Sequence, residues 1–198
     1  ANDIGPGDVV FTTNFSFFAT AEVISLVGAT PFFVDVDEDT FNIDPKILES
    51  TILSVIKEGK FKPKAIISVD LFGQLAQYDE IEKIARKYNL LLLEDAAQSF
   101  GATYKNKKAC SFGHIAATSF YPAKPLGCYG DGGAIFTNDI SLAQKIRSIR
   151  VHGQGKDKYD NIRIGLNSRL DTIQAIVLIE KMKIFDKEIK LRNKIAKY

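Results

Sequence analysis

The sequence predicts an α/β protein in which helices cover both faces of a mostly parallel sheet. Short runs rich in β-branched and aromatic residues alternate along the chain with segments of helical periodicity. The runs are apolar at nearly every position rather than at every second position, which is typical of strands buried on both faces. These patterns together favour a three-layer α/β/α architecture.

Six strands and five helices are expected in the order of the chain. The strands are predicted at Asp8–Thr12, Pro31–Val36, Lys64–Asp70, Leu90–Glu94, Ala116–Phe120 and Ala134–Thr137. The helices are predicted at Ala19–Val27, Pro45–Lys57, Asp79–Tyr88 and Leu142–Arg150, followed by a longer one from Arg169 to Tyr198. Local signals support some of these ends: Asp44-Pro45 is typical of a helix start, and Gly28 of a residue just past a helix end.

Composition places the chain among ordinary globular proteins. It has 198 residues, 45% hydrophobic and 25% charged, which allows one sizeable core. The net charge is +2 and neither sign forms a long block, so a nucleic-acid-binding arm is not indicated. No apolar run approaches the roughly 18 residues that cross a bilayer, and no secretory signal pattern is present. We therefore expect a cytoplasmic protein without a nucleic-acid or membrane partner.

Neither cysteine nor histidine content indicates a metal site. Cys110 and Cys128 are the only cysteines, with no C-x-x-C spacing, and His114 and His152 are far apart without a carboxylate cluster. We expect two reduced thiols and no metal.

The polar residues collect where predicted strands end. Glu94–Ser99 follow one strand, Tyr121–Gly127 follow the next, and the glycine-rich segment Gly130–Gly133 comes shortly after. Ligands of such sheets bind beyond the carboxyl ends of the strands. We therefore expect the functional site at this edge.

Asp95 and Lys124 form the central pair of this predicted site. A carboxylate at the end of a buried strand is costly to desolvate unless a cation or several hydrogen-bond donors face it. A protonated pyridine nitrogen is such a cation, and pyridoxal-phosphate enzymes set an acidic or arginine residue against it while a lysine forms a Schiff base. Taken singly, Asp95 can instead cap a following helix, and Lys124 can be a surface lysine in a loop.

Three further residues are candidates for cofactor contacts. Ser119 can meet a phosphate, and Gln98, one helical turn after Asp95, is expected on the same face. Phe17 can stack on an aromatic ring, although such a phenylalanine more often belongs to a core. Ser119 and Gln98 can equally be satisfied polar residues of the interior.

Several motifs in register resemble the DegT/DnrJ/EryC1/StrS family of sugar aminotransferases over essentially the whole chain. Several motifs in the same order are more specific than one glycine pattern. The segments that carry the resemblance are Gly5–Asp8, Phe15–Thr20, Gly28–Pro31, Glu94–Ser99, Lys124–Gly127, Gly130–Gly133, Arg150–Gln154 and Asn167–Asp171.

The resemblance implies a role for each candidate residue. Lys124 is the expected Schiff-base lysine of pyridoxal 5'-phosphate and Asp95 the expected partner of its ring nitrogen. Gln98 would contact the ring hydroxyl, Ser119 the phosphate, and Phe17 the ring face. In the second subunit, Asn167 would reach the cofactor phosphate and Arg169 would meet the substrate. An ion pair between Arg169 and Asp171 or another carboxylate is the alternative for the arginine.

The same resemblance implies the fold and the assembly. Residues 1–180 are expected to be the large, cofactor-binding domain of an aspartate-aminotransferase-like fold (fold type I), lacking an upstream phosphate loop. Residues 181–198 are expected to begin a helix that links to a small C-terminal domain, with lysines on its solvated face. Active sites shared across a two-fold axis imply a homodimer.

The expected reaction moves an amino group from glutamate to a nucleotide-linked keto sugar. The sequences of the segments Glu94–Ala102, Lys124–Gly133 and Arg150–Gln154 most resemble relatives that aminate the 3-keto position of a UDP-linked N-acetylglucosaminuronate for surface polysaccharide synthesis. The alternatives are C4 amination of a UDP- or dTDP-linked 4-keto-6-deoxy sugar, a pyridoxal-phosphate-dependent sugar dehydratase, and a doubly wound binding module without catalysis. The dehydratase is disfavoured because a histidine is expected there in place of Lys124.

Overall fold

The protein is built around one six-stranded sheet, described by a computed structural model over residues 1–157 and 159–198. The strands are β1 (Asp8–Thr13), β2 (Thr30–Val34), β3 (Lys62–Val69), β4 (Leu91–Asp95), β7 (Ile115–Ser119) and β8 (Gly133–Phe136), arranged in the order β2-β1-β3-β4-β7-β8. All neighbours are parallel except β7 and β8, which are antiparallel. The predicted three-layer α/β/α fold is confirmed.

Five α-helices connect or flank these strands. They are α1 (Ala19–Leu26), α2 (Pro45–Glu58), α3 (Tyr78–Lys87), α4 (Ile140–Ile149) and α5 (Thr172–Ile195). The α2 start matches its sequence signal, because the Asp44 side chain accepts hydrogen bonds from the backbone N–H of Lys46 and Ile47. Gly28 follows α1 with φ +79°, a conformation that favours glycine.

Two elements were not predicted from the sequence. A short hairpin pairs β5 (Thr103–Tyr104) with β6 (Lys107–Lys108), and a 3₁₀ turn spans Leu71–Gly73. Each is too short to leave a periodic pattern.

Successive residues of the central strands enter cores on opposite faces of the sheet. Val9 and Phe11 pack in the larger core with α2 and α3, whereas Val10 packs with Ile24 of α1 on the other side. This alternation explains why the strands are apolar at nearly every position. It also sends neighbouring residues at the end of β4 to opposite faces.

Helix α5 packs against a third apolar cluster and is also exposed along much of its length. Leu178 and Phe185 are buried with Phe120 and Leu126, while Ile184 and other apolar residues face solvent. The lysine-rich part therefore differs from a simple amphipathic helix, because apolar side chains lie on both of its faces. Residue 180 falls inside this continuous helix, and the division of the chain at that point stays a prediction.

None of the helices in the two described ranges combines the length and the apolar character needed to span a bilayer.

Candidate active site

The candidate site lies at the carboxyl edge of the sheet, where β4 and β7 end side by side. Asp95 is the last residue of β4 and pairs with Ala117 of β7, two residues before Ser119. Lys124 lies in the loop that leaves β7. Asp95 and Lys124 therefore follow neighbouring strands at the same edge of the sheet, as the sequence predicts.

The Asp95 side chain is half-buried and faces helix α1. Its Oδ2 accepts a hydrogen bond of 2.8 Å from Thr20 Oγ1, and its Oδ1 accepts one of 3.2 Å from the backbone N–H of Ala97. No ion pair joins Asp95 to a cationic side chain within residues 1–157 and 159–198. A carboxylate accepts up to about four hydrogen bonds, so Asp95 retains capacity for a further cationic donor.

The alternative role of Asp95 as a helix cap is wrong, because no helix follows it. Residues 96–101 form turns, and the bond from Ala97 two residues on is the pattern of a side-chain turn. The expectation that Gln98 shares a helical face with Asp95 is wrong for the same reason. Gln98 Oε1 instead accepts a 2.8 Å hydrogen bond from the backbone N–H of Phe72, which ties this turn to the one after β3.

Lys124 is half-buried, and its backbone N–H donates to the carbonyl of Tyr121 at 2.8 Å in a tight turn. Among the described residues, its Nζ has no hydrogen-bond or ion-pair partner. An amine without a carboxylate beside it is available to react with a carbonyl carbon once it has lost its proton.

Ser119 and Phe17 lie at the same edge. Ser119 ends β7, and its Oγ accepts a 3.2 Å hydrogen bond from the backbone N–H of Tyr121, which leaves the hydroxyl proton for another acceptor. Phe17 is 71% exposed, and its carbonyl accepts from the N–H of Thr20, the residue that bonds Asp95. An exposed ring at this position is not part of the core, which removes the alternative considered for it.

Asn167 and Arg169 lie in the segment between α4 and α5. Both are exposed, and Asn167 forms an isolated bridge with Val151. No hydrogen bond or ion pair of the described residues joins either of them to Asp95 or Lys124, and Arg169 forms no ion pair there with Asp171. Their expected roles across a subunit interface remain predictions.

The structure adds two residues that the sequence did not identify. Thr20 is the direct partner of Asp95, but the 75 residues between them leave no local pattern. Asp70 is fully buried at the end of β3, where it accepts hydrogen bonds from Ser99 Oγ at 2.7 Å and Tyr78 OH at 2.8 Å. The bond to Ser99 holds the turn that contains Gln98.

A second buried carboxyl lies under the site on the other face of the sheet. Glu94 Oε1 and Oε2 accept from the backbone N–H groups of Cys110 and Phe112 at 2.7 and 2.9 Å. Burial, and to a smaller extent the nearby Asp70 carboxylate, raises the pKa of Glu94 to about 8 against the effect of these donors. Burial also raises the pKa of Asp70. Because the pKa values of both carboxyls are raised, the pair of Asp70 and Glu94 favours holding a proton.

The stability of the protein is expected to fall as the pH rises toward about 8. A raised folded-state pKa means that Glu94 opposes folding once the unfolded chain ionises, above its ordinary value of 4.5, and this effect saturates above the folded-state pKa. The decrease in unfolding free energy between pH 5 and 8.5 should be on the order of 4 kcal/mol. Urea denaturation at several pH values measures it.

Glu94→Gln should flatten that pH dependence. The amide cannot titrate, although it leaves one backbone N–H without an acceptor and so lowers stability by about 1–3 kcal/mol at every pH. Glu82→Gln on the surface of α3 is the matched control and should keep the slope of the unmodified protein. If the unfolding free energy of Glu94→Gln depends on pH as steeply as that of the unmodified protein, Glu94 is ionised throughout pH 5 to 8.5 and the prediction is wrong.

Within the described ranges, no group of three or more His, Cys, Asp or Glu side chains is arranged to hold a metal ion.

Comparisons with known proteins show which family this chain belongs to. The model of the DegT/DnrJ/EryC1/StrS aminotransferase family matches residues 1–198. A UDP-2-acetamido-2-deoxy-3-oxo-D-glucuronate aminotransferase from Pseudomonas aeruginosa is 54% identical over 193 residues, which cover 98% of this chain and 52% of that protein. A UDP-N-acetyl-3-dehydro-alpha-D-glucosamine 3-aminotransferase from Acidithiobacillus ferrooxidans is 42% identical over 90% of this chain and 46% of its own length.

Solved structures show the same fold. A DegT DnrJ EryC1 StrS aminotransferase from Brucella abortus is 57% identical and superimposes with a TM-score of 0.98 over 99% of this chain and 52% of its own. DesV from S. venezuelae is 38% identical, with a TM-score of 0.86 over 93% of this chain and 47% of its own. The chain thus spans about half the length of the curated relatives it matches. It belongs to the DegT/DnrJ/EryC1/StrS aminotransferase family.

Proposed function

We propose that the full-length protein is an aminotransferase that uses pyridoxal 5'-phosphate to move an amino group from glutamate to a nucleotide-linked keto sugar. One observation carries the proposal. Asp95, a half-buried carboxylate without a cation among the described residues, ends one strand, and the neighbouring strand leads to Lys124, whose amine has no partner among them. The names of relatives at 54% and 42% identity support the same class of reaction.

The residues at this edge fit the cofactor. Asp95 would hold the protonated ring nitrogen, because its free acceptor positions require a cationic donor. Ser119 would donate its hydroxyl proton to the phosphate, and Phe17 would cover the ring face. Gln98 would contact the ring hydroxyl through its side-chain N–H, since its Oε1 already accepts from Phe72. When bound, the cofactor supplies an electron sink for the carbanion formed at the substrate.

Of the two central side chains, that of Lys124 would move the substrate proton and that of Asp95 would stay in place. Lys124 would hold the cofactor through its amine, and the same amine, when free, would accept a proton from the substrate Cα. Asp95 would keep its position throughout, because Thr20 and the Ala97 N–H hold both of its oxygens. Its role is to orient and hold charge rather than to transfer a proton.

The proposed acceptor is the 3-keto form of a UDP-linked N-acetylglucosaminuronate. Support comes from the relatives, two of which are named for amination of 3-oxo or 3-dehydro UDP sugars. The product would feed lipopolysaccharide or another surface polysaccharide in the cytoplasm. The test is an assay of the full-length enzyme with glutamate against UDP- and dTDP-linked 3-keto and 4-keto sugars. Turnover confined to a 4-keto-6-deoxy sugar would replace this substrate with a C4 acceptor.

We also propose that this chain is the large domain of a two-domain protein that works as a homodimer. The relatives are about twice as long, and α5 carries several apolar side chains that are more than half exposed. Exposed apolar surface of this extent is typical of a contact with another domain or subunit. The exposed positions that support this are Ile173, Ile176, Ile179, Met182 and Ile195.

Arg169 is expected to bind the anionic part of the sugar substrate from the second subunit. A planar guanidinium can hold a carboxylate or diphosphate with two parallel hydrogen bonds, which lysine cannot reproduce. Arg169→Lys should therefore raise the KM for the keto sugar about tenfold, while the half-reaction with glutamate stays nearly unchanged. Steady-state and half-reaction kinetics measure the two effects.

A different outcome would assign Arg169 a structural role. A lower melting temperature together with weakening of both half-reactions would point to an ion pair formed in the assembled enzyme. Arg192→Lys, at an exposed position near the end of α5, serves as the control and should change neither parameter.

A further inference from the structure

We propose that Gln174 and Lys181, two residues of α5, are positioning residues that fix the loop carrying Lys124. This inference rests on the proposed role of Lys124 as the cofactor lysine. Both residues contact the second half of the loop between β7 and β8, and neither belongs to the site described above. They lie seven positions apart, two helical turns, and so face the same side of the helix.

The loop is closed on itself around Lys124. The backbone N–H of Cys128 donates to the carbonyl of Phe120 at 2.8 Å, and the N–H of Phe120 donates to the carbonyl of Gly132 at 2.7 Å. The Cys128 sulfur lies 3.0 Å from the carbonyl oxygen of Phe120 and 3.1 Å from that of Gly130, and its single S–H can donate to either. Residues 121–127 therefore form a loop whose two ends, at Phe120 and at Cys128, are held together; these ends are the base of the loop. A group that anchors this base helps to set the position of Lys124.

Gln174 anchors one side of this base. Its Oε1 accepts a 2.8 Å hydrogen bond from the backbone N–H of Tyr129. Its amide nitrogen lies close against Gly130, where an added Cβ would be only 3.2 Å away. The glycine thus lets the loop approach the helix closely enough for this bond.

Lys181 anchors the other side. Its Nζ donates a 2.6 Å hydrogen bond to the carbonyl of Gly127 and lies 5.2 Å from the centre of the Tyr129 ring. Gly127 is itself packed tightly, because an added Cβ would lie 2.5 Å from the carbonyl oxygen of Pro122. Lys181 therefore holds Gly127, which in turn packs against Pro122, two positions before Lys124.

A role confined to holding α5 on the core is the competing explanation. Leu178 and Phe185, on the same side of the helix, are buried in the third apolar cluster and already provide that attachment. Loss of one polar bond to the loop should then leave the helix in place. The two explanations differ in whether the loop loosens while the overall stability is kept.

The test uses Lys181→Met in the full-length protein, which keeps an unbranched side chain while removing the charge and the donor. Hydrogen–deuterium exchange of the cofactor-free protein should become about tenfold faster at the Cys128 and Tyr129 amides, as expected for loss of one charge-assisted hydrogen bond. Gln174→Leu should act in the same way at Tyr129. Lys181→Arg, which keeps a donor, should restore slow exchange, and Lys183→Met on the exposed side of α5 should resemble the unmodified protein.

The second readout is the rate at which added pyridoxal phosphate becomes fixed to Lys124 on borohydride reduction. This rate should also fall about tenfold in Lys181→Met and recover in Lys181→Arg. Exchange equal to that of Lys183→Met would overturn the proposal, as would a general loss of stability without a local change in the loop. Because exchange is measured without cofactor, it tests the anchoring even if borohydride labels a lysine other than Lys124 and the proposed function fails.

Discussion

Replacement of Lys124 by alanine is expected to abolish covalent attachment of pyridoxal phosphate and to lower transamination by about 10⁴-fold. The size of the effect follows from two losses, the amine that links to the cofactor and the group that moves the substrate proton, and the second alone is worth roughly 10²–10⁴-fold. Because the Lys124 amine has no partner among the described residues, the fold should be little affected. Borohydride reduction of the full-length enzyme followed by peptide mapping, together with glutamate turnover, gives the measurement.

Lys64→Ala is the matched control for this experiment. Lys64 is an exposed lysine of β3, and its loss should leave both labelling and turnover unchanged. Labelling of a lysine other than Lys124 in the unmodified enzyme would sink the assignment.

Asp95→Asn is expected to lower transamination by at least about 10²-fold while the protein stays folded. The amide oxygen can still accept the hydrogen bond from the Ala97 N–H, and the amide nitrogen can donate to the Thr20 hydroxyl, which can also accept, so the local geometry is kept. It cannot hold a protonated ring nitrogen as a carboxylate does, and the electron sink is weakened. Some cofactor should still bind through the other contacts. Single-turnover kinetics with glutamate, compared with the melting temperature, separate chemistry from folding.

Asp186→Asn, an exposed carboxylate of α5, controls for the change of charge and should be neutral. Turnover of Asp95→Asn near that of Asp186→Asn would mean that Asp95 only stabilises the turn after β4.

The sequence was sufficient for the fold because burial on both faces leaves a strong pattern. The apolar strands and the Asp44-Pro45 helix start depend on local chemistry, and each predicted strand lies within two residues of the observed one at either end. The prediction that Asp95 and Lys124 follow neighbouring strands at one edge of the sheet came from the rule that parallel strands end there. These features need no knowledge of distant contacts.

The parts that were missed depend on contacts between residues distant in sequence. Asp95 bonds Thr20 from 75 residues away, and Gln98 bonds the backbone of Phe72 from 26 residues away. Gln98 was expected on a helix because the apolar pattern after β4 does not reveal that Asp70 holds Ser99 and folds the segment into turns. No local signal distinguishes these turns from a helical start.

The buried Cys128 thiol gives the Lys124 loop a natural chemical reporter. Its sulfur is fully enclosed and lies within hydrogen-bond distance of two carbonyls of the same loop, so an alkylating reagent can reach it only after the loop has opened. Burial raises the pKa of the Cys110 thiol to about 12, which suppresses its thiolate at neutral pH and keeps background reaction slow. The time course of alkylation at Cys128 therefore measures how often the loop opens, without any dye or engineered label.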